Sequence, residues 1–265
     1  MTSESMSGRH IVVTRPAGQA DSLCAAIAAR GGIALRFPVL AIGAVADVTA
    51  LEGIADRLDA FDLAFFVSPN AVRYALEPIL AHRAWPAHLR AATVGKGSER
   101  ALAEFGFAHV IAPQSGFDSE AVLALDEFQR ESIAGRNVVI FRGDGGRDLL
   151  GETLREREAS VEYVTCYRRY CPDLDPASLL DLAAHGHLDA ITLTSSEGVP
   201  NLLTMVGEAG WQLLKHVAVF APHPRIVAHA RAAGFLRVIE TPPGDEGLIA
   251  ALESHFQQAS VTLRP

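Results

Sequence analysis

Arg9-His-Ile-Val-Val-Thr-Arg15 and Arg136-Asn-Val-Val-Ile-Phe-Arg142 are two versions of one phrase, set 127 residues apart. Each is a short β-branched run ending in a basic residue, followed by a turn and a helical pattern. The same interval separates Asp62-Leu-Ala-Phe-Phe-Val-Ser68 from Asp189-Ala-Ile-Thr-Leu-Thr-Ser195. Val72 and Leu76 then match Val199 and Leu203, and Asp118 matches Asp245, at that spacing. Ala92-Thr-Val-Gly95 pairs with Ala218-Val-Phe-Ala221 at 126, and Gly106-Phe107 with Gly234-Phe235 at 128. Chance apolar runs do not keep register over so many segments, so the chain is a duplication. A period this long is no solenoid repeat; each copy is the size of a domain.

Working outward from the phrase, each copy repeats one grammar. Ile11–Thr14 precedes a helical pattern over Gln19–Ala29, and Val138–Phe141 one over Arg147–Arg157. Leu63–Val67 precedes Asn70–Leu80, and Ala190–Thr194 precedes Val199–Val206. Ala91–Val94 precedes Ser98–Glu104, and Val217–Phe220 precedes Arg225–Ala233. His109–Ala112 and Arg237–Thr241 precede helices at Ser119–Phe128 and Glu246–Gln257. Strands alternating with helices predict an α/β protein with parallel sheets covered on both faces, as two flavodoxin-like domains. Phe37–Ala46 and Thr165–Pro176 are strand-like, without helical period, and are expected to run side by side between the lobes.

Composition narrows the function. Hydrophobic residues make up 49% and charged residues 20% of 265, a globular balance. The net charge of -8 argues against a nucleic-acid binder, which needs a basic face. The absence of a long apolar run predicts no membrane span, and polar Met1–Gly8 has no secretory core. Cys24, Cys166 and Cys171 form no CxxC pair, which predicts reduced thiols and a cytoplasmic setting.

Open parallel sheets bind ligands beyond the carboxyl ends of their strands. The polar residues gather there: Thr14-Arg15, Ser68 and Asn70, Gly95 to Ser98, Arg142-Gly143, Thr194-Ser195-Ser196, and His223 to Arg225. Each group precedes a helix, whose first N–H groups and positive dipole end suit anions. Taken singly, Ser68, Asn70, Ser98 and Ser195 read as ordinary helix N-caps before ligands, and the glycines can serve tight turns only. Gly95-Lys96-Gly97 lacks the third glycine of a dinucleotide fingerprint, since position 100 is Arg. No P-loop and no GxSxG occurs, and the ten histidines have no acidic or thiol partners that complete a metal set. Tyr167, in Cys166-Tyr167-Arg168-Arg169, reads either as a functional hydroxyl or as a packing residue.

In order and spacing, Val13-Thr14-Arg15-Pro16, Phe66-Val67-Ser68-Pro69-Asn70-Ala71-Val72, Thr93-Val94-Gly95, Arg142-Gly143, Tyr167-Arg168-Arg169 and Leu193-Thr194-Ser195-Ser196 resemble the uroporphyrinogen-III synthase family over roughly residues 10–252. The resemblance implies two lobes, 1–38 with 173–265 and 44–165, joined through 39–43 and 166–172. It implies a cofactor-free, metal-free monomeric lyase of porphyrin and heme biosynthesis. Such an enzyme closes the linear tetrapyrrole polycarboxylate hydroxymethylbilane to uroporphyrinogen III, losing water and inverting ring D. The preceding enzyme of that pathway is the protein partner it implies. Tyr167 would be catalytic. Thr14, Arg15, Ser68, Asn70, Gly95, Ser98, Arg142, Gly143, Thr194, Ser195, Ser196, His223 and Arg225 would bind substrate. One departure is Ala221-Pro222-His223-Pro224-Arg225, where many relatives carry threonines; His223 and Arg225 would stand in for them, or only cap and turn. A two-lobed small-molecule binding protein without catalysis is the competing reading, and a nucleotide-sugar transferase lacks its expected motifs.

Overall fold

A computed structural model describes residues 5–262, and side chains for residues 5–258. The first half alternates β1 (His10–Val13), α1 (Asp21–Ala28), β2 (Ile33–Arg36), β3 (Ala41–Ala44), α2 (Thr49–Asp56), β4 (Leu63–Phe66), α3 (Pro69–His82), β5 (Arg90–Thr93), α4 (Lys96–Glu104) and β6 (Val110–Ile111). Then come α5 (Ser119–Leu123), α6 (Arg130–Ile133), β7 (Asn137–Gly143), α7 (Leu149–Glu156), β8 (Ser160–Tyr170), α8 (Ala177–Ala184), β9 (Leu188–Thr192), α9 (Gly198–Leu214), β10 (Ala218–Ala221), α10 (Pro224–Ala232), β11 (Val238–Glu240) and α11 (Gly244–Thr262). The chain divides into a first unit, Met1–Ala41 with Tyr170–Pro265, and a second, Ile42–Arg169.

The first unit holds a five-stranded sheet ordered β11-β10-β9-β1-β2, and the second a six-stranded sheet ordered β3-β8-β7-β4-β5-β6. Leaving β3 aside, the two orders are the same. The opening strand pair therefore completes the sheet of the C-terminal strands, and its repeat, β7 with β8, completes the other. The regular stretches of these ladders agree residue for residue. Ile11 faces Ala190 as Val138 faces Leu63, and His10 faces Ile33 as Asn137 faces Ser160. One alignment read from the sequence is corrected. Phe65 faces Ala92 while Thr192 faces Phe220, so the third strands correspond at 128 rather than 126. A slip of two residues leaves every side chain on its own face, so hydrophobic alternation could not detect it.

The alternation explains the layers. In β4, Ala64 and Phe66 enter one core with α2, α3 and α4, while Leu63 and Phe65 enter another with Phe128, Leu150 and Leu154. In β1, Val12 packs with Leu202 and Val227, while Ile11 and Val13 pack with Leu23, Ile27 and Leu252. Both faces of both central strands are apolar, as parallel sheets under two helical layers require. Local chemistry starts the helices. Ser68 and Asp118 accept the Ala71 and Ala121 N–H groups, and Pro69 and Pro224 occupy first helical turns. The helical pattern expected over Ser119–Phe128 breaks after Leu123 into a separate 3-10 turn at Asp126–Phe128.

Candidate functional site

β8 carries an irregularity that sets where its last side chains point. Against β7, the register advances from Arg142 with Thr165 to Gly143 with Tyr167, making Cys166 an extra residue. Such a bulge shifts the strand's alternation by one and re-aims the side chains beyond it. Thr165 is exposed, Cys166 and Tyr167 are both buried, Arg168 is exposed again and Arg169 is half-buried. Were the strand regular through Cys166, Tyr167 would share the exposed face of Thr165. The Cys166 thiol lies 3.3 Å from the Arg142 carbonyl oxygen, and burial pushes its pKa up to about 12. It fills the bulge and is no nucleophile at neutral pH.

Tyr167 is 2% exposed, and its hydroxyl lies 3.2 Å from Ser68 Oγ. Ser68 is the N-cap of α3 and accepts the Ala71 N–H at 3.1 Å. Gly143 lies flat beside the phenol ring: a Cβ there would stand 2.6 Å from the ring's Cζ. The Asp144 N–H donates to the Tyr167 carbonyl, and the Asp144 carboxylate accepts the Arg169 N–H at 3.2 Å. The strand ends of β7 and β8 are thus tied together around the tyrosine.

Ser68 and Tyr167 line a cavity of about 370 Å³ at the carboxyl ends of β4, β7 and β8. Arg142, Arg147, Arg169 and the half-exposed ring of Phe117 complete its functional lining. A shallower hollow beside it shares Ser68 and Phe117 and reaches Gly95 and Ser98, the first turn of α4. Among the second unit's expected residues, the large cavity gathers Ser68, Arg142 and Tyr167. Gly95 and Ser98 line the neighbouring hollow, Asn70 sits in the first turn of α3, and Gly143 supports the tyrosine from behind. The arginines of the cavity differ in their surroundings. Arg142 is ion-paired with Asp148 and stacks 4.8 Å over the Tyr163 ring. Arg169, absent from the expected set, lies 5.8 Å over the Tyr167 ring. Its signal in the sequence is the two-residue spacing from Tyr167, which keeps both on one face of a strand.

The expected residues of the first unit stand at equivalent strand ends, with their polar atoms largely engaged. Thr14 is buried and its hydroxyl donates to the Thr192 carbonyl at 2.5 Å, which ties it to the sheet rather than to a ligand. Arg15 pairs with Asp245 at 2.5 Å, and Ser22 donates to the same carboxylate. Burial alone would raise the Asp245 pKa; the Ser22 and Arg15 contacts outweigh it and hold it below the usual range. Ser195 Oγ accepts the Glu197 N–H, between half-buried Thr194 and Ser196. His223 caps α10, its Nδ1 accepting the Arg225 N–H at 3.1 Å, and both side chains are exposed. Among the described residues, no group of three His, Cys, Asp or Glu could hold a metal, and no helix is long and apolar enough to cross a membrane.

Comparison with known proteins finds relatives at the level of family, sequence and structure. The family model described as "Uroporphyrinogen-III synthase HemD" matches residues 21–250. The uroporphyrinogen-III synthase of Salmonella typhimurium is 33% identical over 199 residues, 74% of this chain and 79% of that protein. Its counterpart from Escherichia coli K12 is 28% identical over 92% of this chain and 99% of its own length. Among solved structures, a mutant uroporphyrinogen III synthase of Thermus thermophilus matches with a TM-score of 0.55 at 19% identity, covering 96% of this chain and 99% of that one. The uroporphyrinogen-III synthetase of Helicobacter pylori 26695 gives 0.56 at 15%, covering 97% and 100%. At those identities the structural likeness speaks for the fold alone.

Proposed function

The chain belongs to the uroporphyrinogen-III synthase family, and we propose that it closes hydroxymethylbilane to uroporphyrinogen III with Tyr167 as the proton donor. Breaking the C–O bond of the hydroxymethyl group sends that electron pair to oxygen. A proton taken up there lets water leave, with the pyrrole nitrogen supplying electrons to form an azafulvene. Ring D then attacks through its substituted carbon, and the spiro intermediate fragments and recombines with the ring reversed. Loss of one ring-carbon proton restores the balance, so the net change is loss of water, which makes the enzyme a hydro-lyase.

The observation that carries this reading is the Tyr167 hydroxyl at a cavity wall, held 3.2 Å from Ser68 Oγ. Ser68 Oγ accepts the Ala71 N–H and still has a proton it can give to the tyrosine oxygen, the arrangement this reading uses. The phenolic proton is then free to point into the cavity, toward a departing hydroxyl. Unassisted closure leaves ring D uninverted, so most of the enzyme's contribution is conformational control of the bilane. Donation by one hydroxyl adds a smaller factor. The helix N-termini at the strand ends suit a substrate with eight carboxylates. Three unpaired thiols support placing the reaction in the cytoplasm, with the enzyme that makes the bilane as a transient partner.

The test uses freshly generated hydroxymethylbilane, oxidation of the products and chromatographic separation of the porphyrin isomers. The protein should give isomer III faster than spontaneous closure. Isomer I alone, at the spontaneous rate, would leave only a binding role. Tyr167→Phe should stay folded and slow turnover by about tenfold or more, with little change in KM; unchanged turnover removes Tyr167 from the chemistry.

A further inference from the structure

Three arginines line the cavity beside Tyr167, and their circumstances differ. Arg142 is neutralised by Asp148 and packed on Tyr163. Arg147 is 73% exposed and reaches Glu120 at 3.5 Å. Arg169 has no acidic side chain against its guanidinium among the described residues, although it is half-buried. Its backbone is fixed by the two 3.2 Å contacts to Asp144, and its charge lies over the Tyr167 ring. The acidic residue facing the same cavity, Asp118, is committed to the Ala121 N–H as the cap of α5.

The opposite feature of the cavity is apolar. Phe117 is 57% exposed, a large hydrophobic ring left facing solvent at a polar opening. It lies over Gly95, where a Cβ would come within 3.1 Å of the ring edge. The ring is thereby supported from beneath with its other side uncovered. An unpaired fork of N–H donors and a bare aromatic face, lining one cavity, match a small planar ring that bears a carboxylate.

We propose that Arg169 and Phe117 form a subsite for one pyrrole ring of the substrate, with Arg169 holding a ring carboxylate and Phe117 the ring face. This rests on the assignment of the Tyr167 cavity as the reacting site. It places the bound ring beside the proton donor, so the subsite orients the ring whose hydroxymethyl group leaves. A guanidinium here binds and aligns; it takes no part in bond breaking.

Two measurements test the subsite separately from the reaction. Binding of mellitate, a planar benzene polycarboxylate, is followed by calorimetric titration of the full chain. KM and kcat for hydroxymethylbilane are measured alongside. Arg169→Met should weaken mellitate about tenfold or more and raise KM similarly, with kcat within threefold. Arg169→Lys keeps the charge without the fork and should fall between. Phe117→Ala should raise KM about fivefold. Tyr167→Phe should leave mellitate binding within twofold. If Arg169→Met and Arg169→Lys, folded by thermal melt, bind mellitate like the unaltered chain, or if the unaltered chain does not bind it, the subsite is overturned. If mellitate binding depends on Arg169 while no isomer III forms, the subsite stands and the reaction assignment falls.

Discussion

Gly143→Ala tests the site through its geometry. A Cβ on Gly143 would stand 2.6 Å from Cζ, 2.7 Å from Cε2 and 3.0 Å from the hydroxyl oxygen of Tyr167. Carbons in contact settle at about 3.5–4.0 Å, so the ring must retreat by roughly 1 Å. Gly143 lies within the β7 strand, so alanine meets no left-handed backbone strain there and the whole effect falls on the ring. The overpacking should destabilise the protein by about 1–3 kcal/mol. The same retreat stretches the 3.2 Å contact to Ser68 beyond hydrogen-bond range, at a further cost of about 1 kcal/mol. Misplacing the donor by about 1 Å forfeits most of its roughly tenfold contribution. Gly143→Ala should therefore be about as slow as Tyr167→Phe, which keeps the ring in place and removes only the donor. Once the ring is displaced, removing its hydroxyl matters little, so the double variant should lose far less than the two single losses multiplied. Initial rates of isomer III formation on variants checked by thermal melt measure all three. A folded Gly143→Ala protein with a rate within twofold of the unaltered chain would refute the argument that the ring's seat against β7 sets its activity.

Ser68→Ala removes both a helix cap and the partner of the phenol, so stability should fall by about 1–2 kcal/mol and kcat should fall, whereas Ser68→Thr should retain most of both; equal kcat for the two would dismiss the orienting role. Thiol labelling at pH 8 should modify half-exposed Cys171 first, with Cys166, whose pKa burial lifts to about 12, and buried Cys24 reacting only on unfolding, as peptide mass mapping would show. Asp245 is held below its ordinary range despite its burial, so the folded protein binds that proton more weakly than the unfolded chain does. Its contribution is complete above about pH 4 and is lost as pH falls through the lower folded value. Asp245→Asn should accordingly lower the melting temperature at pH 7 and flatten its decline in acid; parallel melting curves for the two proteins would contradict this.

Much of this architecture is legible in the chain because parallel strands buried on both faces are near-continuous apolar runs. Ile11–Val13, Leu63–Phe66 and Val138–Phe141 announce themselves, and duplication doubles the evidence for each. The less legible parts lie where periodicity carries no information. The two-residue slip between Ala92 and Phe220 preserves every face. The edge strand β2, Ile-Ala-Leu-Arg, is short and only partly buried, so its match to β8 does not stand out. At the site, residue types mark the strand ends correctly as polar, but the partners are set by distant positions. Arg15 meets Asp245 and Arg142 meets Asp148, and neither pairing follows from spacing along a strand. Arg169 escapes notice because a basic residue late in a strand looks like an ordinary exposed one unless the bulge is known.

That bulge distinguishes two halves that share one strand order. β1 and β2 keep an unbroken register up to Val13 with Arg36, and the chain continues as Phe37-Pro38-Val39-Leu40. In the other half the register breaks after Arg142, and the chain continues through Cys166 to Tyr167. At an interval of 127 or 128 residues, Tyr167 corresponds to Leu40 or Val39, both buried and both without a hydroxyl. The duplication therefore supplies carboxylate-suited helix starts twice, but an aimed hydroxyl beside an unpaired arginine once. Deleting Cys166 should make Thr165 and Tyr167 neighbours on opposite faces, so that a regular β7–β8 ladder still sets Tyr167 against Gly143 with Arg169 on its face. The expected outcome is a folded protein that still makes isomer III and keeps the Arg169 dependence of mellitate binding. A folded Cys166 deletion variant that had lost both would mean that strand alternation does not aim the site.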